Sequence, residues 1–330
     1  MISKDLLLNS QECSIKSFGD ENPDRVFFVI RQGVLGRGLF SLLSAVICYM
    51  HFAESHGFTP VIDFKNFKTE YNEPNDICGT QNAFEYYFEP VSQFTLDEVY
   101  RSKNVVISSN NYPAGYDYTI GNIPSLQGLF NKYIKIRDDI DSLVNIDQFV
   151  KEGKVLGVHF RGQEFRTAPG HWFPPTPKQM YKAIDLMLAK EPFKYIFVST
   201  EDQRLLELLT KRYPKMVISN DHFRTTGANA YKIYPRELHK YLLGREILID
   251  MLALSRCNAL IHCTSNVSWM ARYANNQKSS YVTFIDNGPN SLNRLVAKVL
   301  WRAKYYLPSK LGGFNNSADF LKPVSLSNIR

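Results

Sequence analysis

Five short apolar, β-prone runs lie in the second half of the chain, at 155–160, 195–200, 216–220, 259–263 and 281–286. Segments with helical apolar spacing separate them, at 177–190, 202–213, 238–256 and 267–275. Strands and helices that alternate in this way bury the strands on both faces by forming a parallel sheet with helices on each side. That predicts a doubly wound α/β domain. Ligands of such sheets bind beyond the carboxyl ends of the strands, so a site is expected just after Phe160, Thr200 and Cys263. The first half opens in the same style. A strand over 25–31 leads to glycines at Gly33, Gly36 and Gly38, then to a helix over Leu39–Ser55 that Gly57 stops, then to a strand over 60–64. Another strand is expected at 105–109, while 65–104 shows no clear period and 129–154 is charged and loosely helical.

At 330 residues the chain is longer than one core comfortably serves. The organisation read from it is a first domain over 1–150, a second over 151–290, and a C-terminal helix and tail over 291–330. A hydrophobic share of 44% excludes general disorder. The longest apolar stretch, 39–53, is interrupted by Ser41, Ser44 and His51 and is too short to span a bilayer. Three leucines near the start do not make a signal-peptide core. Five cysteines without a C-x-x-C pair fit a reducing compartment. The expected location is therefore the cytoplasm. A net charge of +7 calls for a polyanionic partner: a diphosphate, a membrane surface or a nucleic acid. No zinc, helix-turn-helix or aromatic RNA-binding pattern supports the last, so no nucleic acid is expected.

Chemistry concentrates at the expected strand ends. The glycine loop before Leu39 has the spacing G-x-x-G-x-G, which differs from the dinucleotide fingerprint and argues against NAD. It reads either as an anion cradle at a helix start or as a tight turn without a ligand. His159 and Arg161 alternate with apolar neighbours and share a face. Arg161 offers a planar fork to phosphate oxygens, or else forms a structural ion pair. Thr200, Glu201 and Asp202 end a strand and enter a helix, which fits both a ligand contact and a plain N-cap. Asp250 lies within the apolar stretch 248–254, where a carboxylate needs a donor, and the N1–H and N2–H₂ edge of guanine would fit it. Thr264, Ser265 and Asn266 offer hydroxyls and helix-start amides to a phosphate.

Taken in order, these pieces resemble the fucosyltransferase superfamily that includes rhizobial nodulation and animal core α-1,6-fucosyltransferases, and more distantly bacterial α-1,2-fucosyltransferases. The resemblance runs over roughly 25–285, through the glycine loop with Leu39 and Val61-Ile-Asp, Phe88-Glu-Pro-Val91, the H-x-R strand, Val198-Ser-Thr-Glu-Asp202, and Asp250 through Asn266. It implies an α/β fold of glycosyltransferase-B type, with two Rossmann-like domains facing a cleft. It also implies an inverting, metal-independent transfer from a GDP-sugar, with no cofactor. In that reading His159 and Asp250 read the guanine, Arg161 holds the β-phosphate with Ser265 or Asn266 beside it, and Gly36, Arg37 and Gly38 face the donor. Thr200, Asp202 and Thr264 complete the nucleotide-sugar set. The sequence departs from the family pattern at Gly162, which replaces a second arginine, at Glu164, which replaces an aspartate, and at Asn266, which replaces a serine. The base is therefore left between Glu164 and His171, with Trp172 and Phe173 available to stack on a sugar. GDP-fucose is the expected donor, with GDP-mannose and a non-catalytic GDP-sugar-binding or glycan-binding relative as alternatives. The acceptor would be a glycan or lipid-linked oligosaccharide of bacterial surface polysaccharide synthesis.

Two segments invite a different reading. Asp139-Ile-Asp141 is formally a metal-binding D-x-D, but no buried strand precedes it, and it reads as the acidic start of a helix. The C-terminal helix places Leu292, Leu295, Val296, Val299 and Leu300 on one face, and Arg294, Lys298 and Arg302 opposite. Its apolar face is expected to pack on the protein, with the basic face left to water or to peripheral contact with anionic lipid on the inner leaflet of the plasma membrane.

Overall fold

The computed structural model describes residues 13–32, 36–110, 113, 126–226, 230–274, 281–316 and 321–323. Gly33, the first glycine of the expected anion loop, lies outside them. The chain divides into two compact units, Met1–Asp141 with Arg236–Arg245, and Ser142–Pro235 with Glu246–Arg330. The crossover falls between Asp141 and Ser142, shortly before the expected 150, and local bonds account for it. The Arg137 amide donates to the Tyr87 carbonyl at 3.1 Å, which ties that stretch to the first unit. Asp147 pairs with Arg256 at 2.9 Å and Phe149 meets Tyr195 edge-on, which ties the next stretch to the second. Arg236–Arg245 joins the first unit because the Tyr241 amide donates to Glu73 and the Tyr87 hydroxyl donates to the Tyr241 carbonyl.

In the first unit β1 (Ile15–Lys16), β2 (Phe27–Ile30), β3 (Thr59–Ile62) and β4 (Val105–Ile107) form a sheet in the order β1-β4-β2-β3. All neighbours are parallel except β1 with β4. The Leu39–Ser55 helix is almost wholly buried, and Gly57, at φ 69°, turns the chain out of it. The stretch 65–104, unreadable by period, is held by side chains standing in for a strand. Asn82 donates to the Ile62 carbonyl and accepts from the Phe64 amide, while Asn72 donates to the Phe64 carbonyl.

The second unit holds β5 (Val155–His159), β6 (Tyr195–Ser199), β7 (Val217–Ile218), β8 (Ala259–Cys263), β9 (Tyr281–Ile285) and β10 (Leu321–Pro323), in the order β10-β9-β8-β5-β6-β7. Only β10 runs antiparallel, against β9. The chain goes outward from β5 to β6 and β7, then returns to β8 on the other side of β5. The direction of winding therefore reverses between β5 and β8, and that is where a sheet of this kind opens a crevice for a ligand. On one face Leu156, Val158, Ile196 and Val198 pack against Met180 and Ile184 of the Pro177–Lys190 helix and Leu205 and Leu209 of the Gln203–Arg212 helix. Strand alternation sends His159 and His262 to the opposite face.

The C-terminal helix, Arg294–Tyr306, departs from expectation. It buries Ala297 and Trp301, while Leu295, Val296 and Val299 stay exposed. Phe173, read from sequence as free to stack on a sugar, is instead 2% exposed and packs with Trp301 and Phe314. An aromatic cluster buries more apolar area than the aliphatic edge of the helix would, so it decides which side turns inward. No helix among the described residues is long and apolar enough to cross a membrane.

Candidate functional site

The end of β5 gathers the polar side chains expected from the sequence. His159 is buried, and its Nδ1 has no hydrogen-bond partner. Burial first, and the Arg161 charge second, push its pKa down to about 3, with Asp250 pulling weakly the other way. At neutral pH it is therefore a neutral imidazole with an open hydrogen-bonding atom. Its register partner on β6, Ser199, is 1% exposed, and its hydroxyl is equally without a partner. Side chains directly paired on adjacent strands face the same way, so two unsatisfied polar groups stand side by side. Buried groups of this kind are expected to meet water or a ligand.

Arg161 bridges the reversal point. Its Nη1 donates to the Thr264 carbonyl at 2.8 Å, and its guanidinium lies 3.5 Å from the Phe165 ring centroid. That bond ties the end of β5 to the turn that begins the Asn266–Ala274 helix, beside Ser265 and Asn266. Arg161, Thr264, Ser265 and Asn266 thus come together as a cation and a helix N-terminus, the combination that suits an anion. Gly162 follows, with the Glu201 carboxyl in the space that a side chain would take. A Cβ would stand 2.7 Å from the Glu201 carboxyl, and the Gly162 amide donates to Glu201 Oε1 at 2.8 Å. Burial raises the Glu201 pKa.

Asp250 is 5% exposed, and its Oδ1 accepts from Asn220 Nδ2 at 2.7 Å. His222 Nδ1 lies 2.9 Å from the same oxygen, an ion pair only when that ring is protonated. One of the donors that sequence reasoning required for this carboxylate is therefore supplied by Asn220, while His222 Nδ1 stands close without a hydrogen bond. No pattern around 220–222 advertises them, because they lie some thirty residues away on the loop after β7. Asp202 caps the Gln203–Arg212 helix through the Arg204 amide, and its own amide donates to Thr200. Both residues are buried at the end of β6, with capping as their visible role.

His171 is exposed, with its ring 5.4 Å from Phe165, and desolvation followed by the Arg161 charge lowers its pKa. Its loop is fixed to the segment before the C-terminal helix: Gly170 donates to Ser291, Asn290 to His171, and Phe173 to Gly288. Glu164 belongs to a 3₁₀ turn over Gln163–Arg166, and its side chain lies outside the described residues. Gly36, Arg37 and Gly38 belong to the first unit. Gly36 donates to Glu70, Arg37 donates to Gln32, and Gly38 begins the Leu39–Ser55 helix, whose first amide donates to the Tyr71 hydroxyl. Asp139 pairs with Arg137 at 3.0 Å.

Sequence reasoning missed a second polar group on the β8 side. Arg272 is 7% exposed, and none of its guanidinium nitrogens has a hydrogen-bond partner. It lies 4.6 Å from the Trp269 ring, which in turn meets His262. Burial pushes the His262 pKa down to about 3. A lone arginine among apolar residues in 267–274 is the signal that would have found it.

No family model and no curated protein matches this sequence. Solved structures do match. A NodZ α-1,6-fucosyltransferase co-crystallised with GDP is 19% identical over 80% of this chain and 96% of its own, with a TM-score of 0.51. The fucosyltransferase NodZ from Bradyrhizobium gives 20% over 80% and 96%, with a TM-score of 0.48. POFUT1 in complex with GDP-fucose gives 11% over 81% and 99%, with a TM-score of 0.47. The first of these shows the architecture: the chain has the two-unit α/β fold of the NodZ α-1,6-fucosyltransferase.

Proposed function

We propose that this protein is an inverting, metal-independent glycosyltransferase that moves a sugar from a GDP-sugar, GDP-fucose first among them, to a glycan acceptor of bacterial surface polysaccharide synthesis. The observation that carries the reading is Arg161 bonded across the reversal point to Thr264, with the Asn266–Ala274 helix beginning beside it. A diphosphate leaving group needs its growing charge met by groups already in place, and an arginine with helix-start amides supplies that. Beside it, the unpartnered His159 Nδ1 and Ser199 Oγ are open to a nucleotide, and Asp250 offers it a buried carboxylate. The NodZ enzyme of this fold was crystallised with GDP. The acceptor hydroxyl must lose a proton as it attacks, and His171, with its lowered pKa, is neutral and able to accept it. Glu164 is the other candidate base. Gly36, Arg37 and Gly38 are assigned to the donor on family resemblance.

Thermal shift against a nucleotide panel tests the reading. GDP at about 100 times its dissociation constant adds ~2.7 kcal/mol to stability, while ADP and UDP leave the protein unmoved. Asp250→Ala abolishes that preference. Equal shifts for all three nucleotides sink the assignment. Transfer activity is expected to survive EDTA. Loss on chelation with rescue by Mn²⁺ would make the mechanism metal-dependent and return attention to Asp139 and Asp141. GDP binding with neither transfer nor donor hydrolysis would favour a non-catalytic binding protein, a reading to which the Glu201 carboxyl filling the space above Gly162 lends weight.

A further inference from the structure

The C-terminal helix turns an apolar stripe to solvent. Leu295, Val299, Arg302 and Tyr306 recur at intervals of four, three and four residues, so they form one line along Arg294–Tyr306. Leu295 is 74% exposed and Tyr306 82%, and just before the helix Leu292 is 87% exposed. Leu311, beyond its end, is also exposed. Single exposed leucines are ordinary on a soluble protein, but a continuous row on one helix marks a surface that something covers.

Charge identifies the occupant. From 287 to 318 the sequence contains no acidic residue, while Arg294, Lys298, Arg302 and Lys310 supply positive charges, and Lys304, on the far side of the helix, is bonded to the Gly312 carbonyl. The basic residues are not opposite this line, as the sequence pattern suggested: Arg302 sits within it, and Lys298 and Arg294 follow along one side. A protein partner that covered this face would have to meet cations interleaved with leucine and valine. An anionic bilayer meets both at once, with phosphates for the cations and acyl chains for the stripe. Helices with this combination lie in the plane of the membrane interface. The helix is anchored for the purpose by Trp301 in the Phe173–Phe314 cluster and by Asn293 capping the Leu295 and Val296 amides.

We infer that the exposed face of Arg294–Tyr306, with Leu292 at its start, docks on anionic lipid and holds the His171 loop at the bilayer surface. The second part follows from backbone pairing. Gly170 donates to Ser291, and Trp172 bridges Pro289, so the loop cannot move independently of the start of the helix. A Cβ at Gly170 would meet Leu292 at 3.0 Å. The inference rests on the transferase reading only for its consequence, which is that the acceptor is lipid-linked and presented at the membrane.

Co-sedimentation with phosphatidylcholine vesicles, with and without phosphatidylglycerol, tests it on the whole chain. Binding is expected with phosphatidylglycerol and at least tenfold weaker without it, falling as salt rises. Arg294→Gln/Lys298→Gln/Arg302→Gln should lose about a hundredfold, at about fivefold (~1 kcal/mol) per cation. Leu295→Glu/Val299→Glu should abolish binding, since exposed positions tolerate the change while a carboxylate opposes lipid insertion. An unchanged melting temperature in both variants confirms that the fold is intact. Failure of the unaltered protein to bind phosphatidylglycerol vesicles at low salt overturns the inference, as does full binding by the double glutamate variant. A lipid-free dimer that the double variant dissociates also overturns it and assigns the face to a second copy. The GDP thermal shift is read in parallel. Its loss in the unaltered protein would sink the donor reading and leave the vesicle result standing, and the converse separates the two equally well.

Discussion

Arg161 has two tasks, and they can be separated. Its bond to the Thr264 carbonyl braces two strand ends, and in the proposed function its charge also meets the departing diphosphate. Arg161→Ala should cost ~1.5–3 kcal/mol of GDP binding, ten- to a hundredfold in dissociation constant. Transfer should fall further, because charge grows on the phosphate in the transition state. Calorimetry with GDP reads the first effect, and melting without nucleotide reads the brace. Unchanged GDP affinity with a lowered melting temperature would make Arg161 structural. The neighbouring departure from the family pattern also has a local cause. Glu201 occupies the space beside Gly162, so an arginine at 162 would require the Glu201 side chain to turn away and give up its bond to the Gly162 amide. His159 and Arg161 could be found from sequence because strand alternation at the end of an apolar run is short-range information. Asn220 and His222 could not, because only the folded loop brings them to Asp250.

At the scale of elements, the five parallel strands of the second unit were legible because each is a brief apolar run bounded by turn residues, whereas β10, the antiparallel Leu321-Lys-Pro323 in the expected tail, has no such pattern. The Pro177–Lys190 helix begins where the pattern placed it, with Thr176 and Gln179 in a reciprocal cap. Gln179 does more than cap. It is fully buried, exchanges two hydrogen bonds with the Asn287 amide, and donates to the Asn315 carbonyl. Gln179→Ala therefore removes the partners of Asn287 Oδ1 and the Thr176 amide and one bond to the Asn315 carbonyl, while Asn287 Nδ2 keeps the Pro174 carbonyl, and should destabilise the unit by about 2–3 kcal/mol. Thr176→Ala, which loses only the cap, should cost about 1 kcal/mol. Equal costs in urea denaturation would contradict this network. The orientation of Arg294–Tyr306 was not legible for a definite reason. A helical wheel gives the angle between apolar and basic faces, but it does not reveal that Trp301, at the margin of both, would find Phe173 and Phe314. The stretch 65–104 was opaque because its order comes from asparagine side chains bonding to distant backbone, which has no period.

At the scale of the whole molecule, the second unit carries two buried histidines on one face of its sheet, His159 and His262, each with its pKa held near 3 against an ordinary value of 6.5. The consequence for stability has a definite sign. Between these two values the unfolded chain binds protons that the native state refuses, so stability rises with pH and falls as the solution is acidified below about 6.5. Each histidine contributes a slope of about 1.4 kcal/mol per pH unit in that window, and the pair about 2.7. Glu201 acts in the opposite direction. Its raised pKa means that the native state binds a proton more readily than the unfolded one above the ordinary carboxylate range, so its contribution falls as pH rises there. A single acid titration mixes these effects, and a difference measurement isolates one. His262→Phe suits it, because His262 is fully buried among Trp269 and Phe284 and its Nε2 is unpartnered. The substitution loses only the Nδ1 contact to the Cys263 carbonyl. Urea denaturation of the native protein and this variant at pH 7, 6 and 5 should show the variant's stability declining less steeply, by about 1.4 kcal/mol per unit once the pH is well below 6.5. Parallel curves would mean that His262 takes up its proton in the folded state, with a ligand or water meeting its charge beside Arg272.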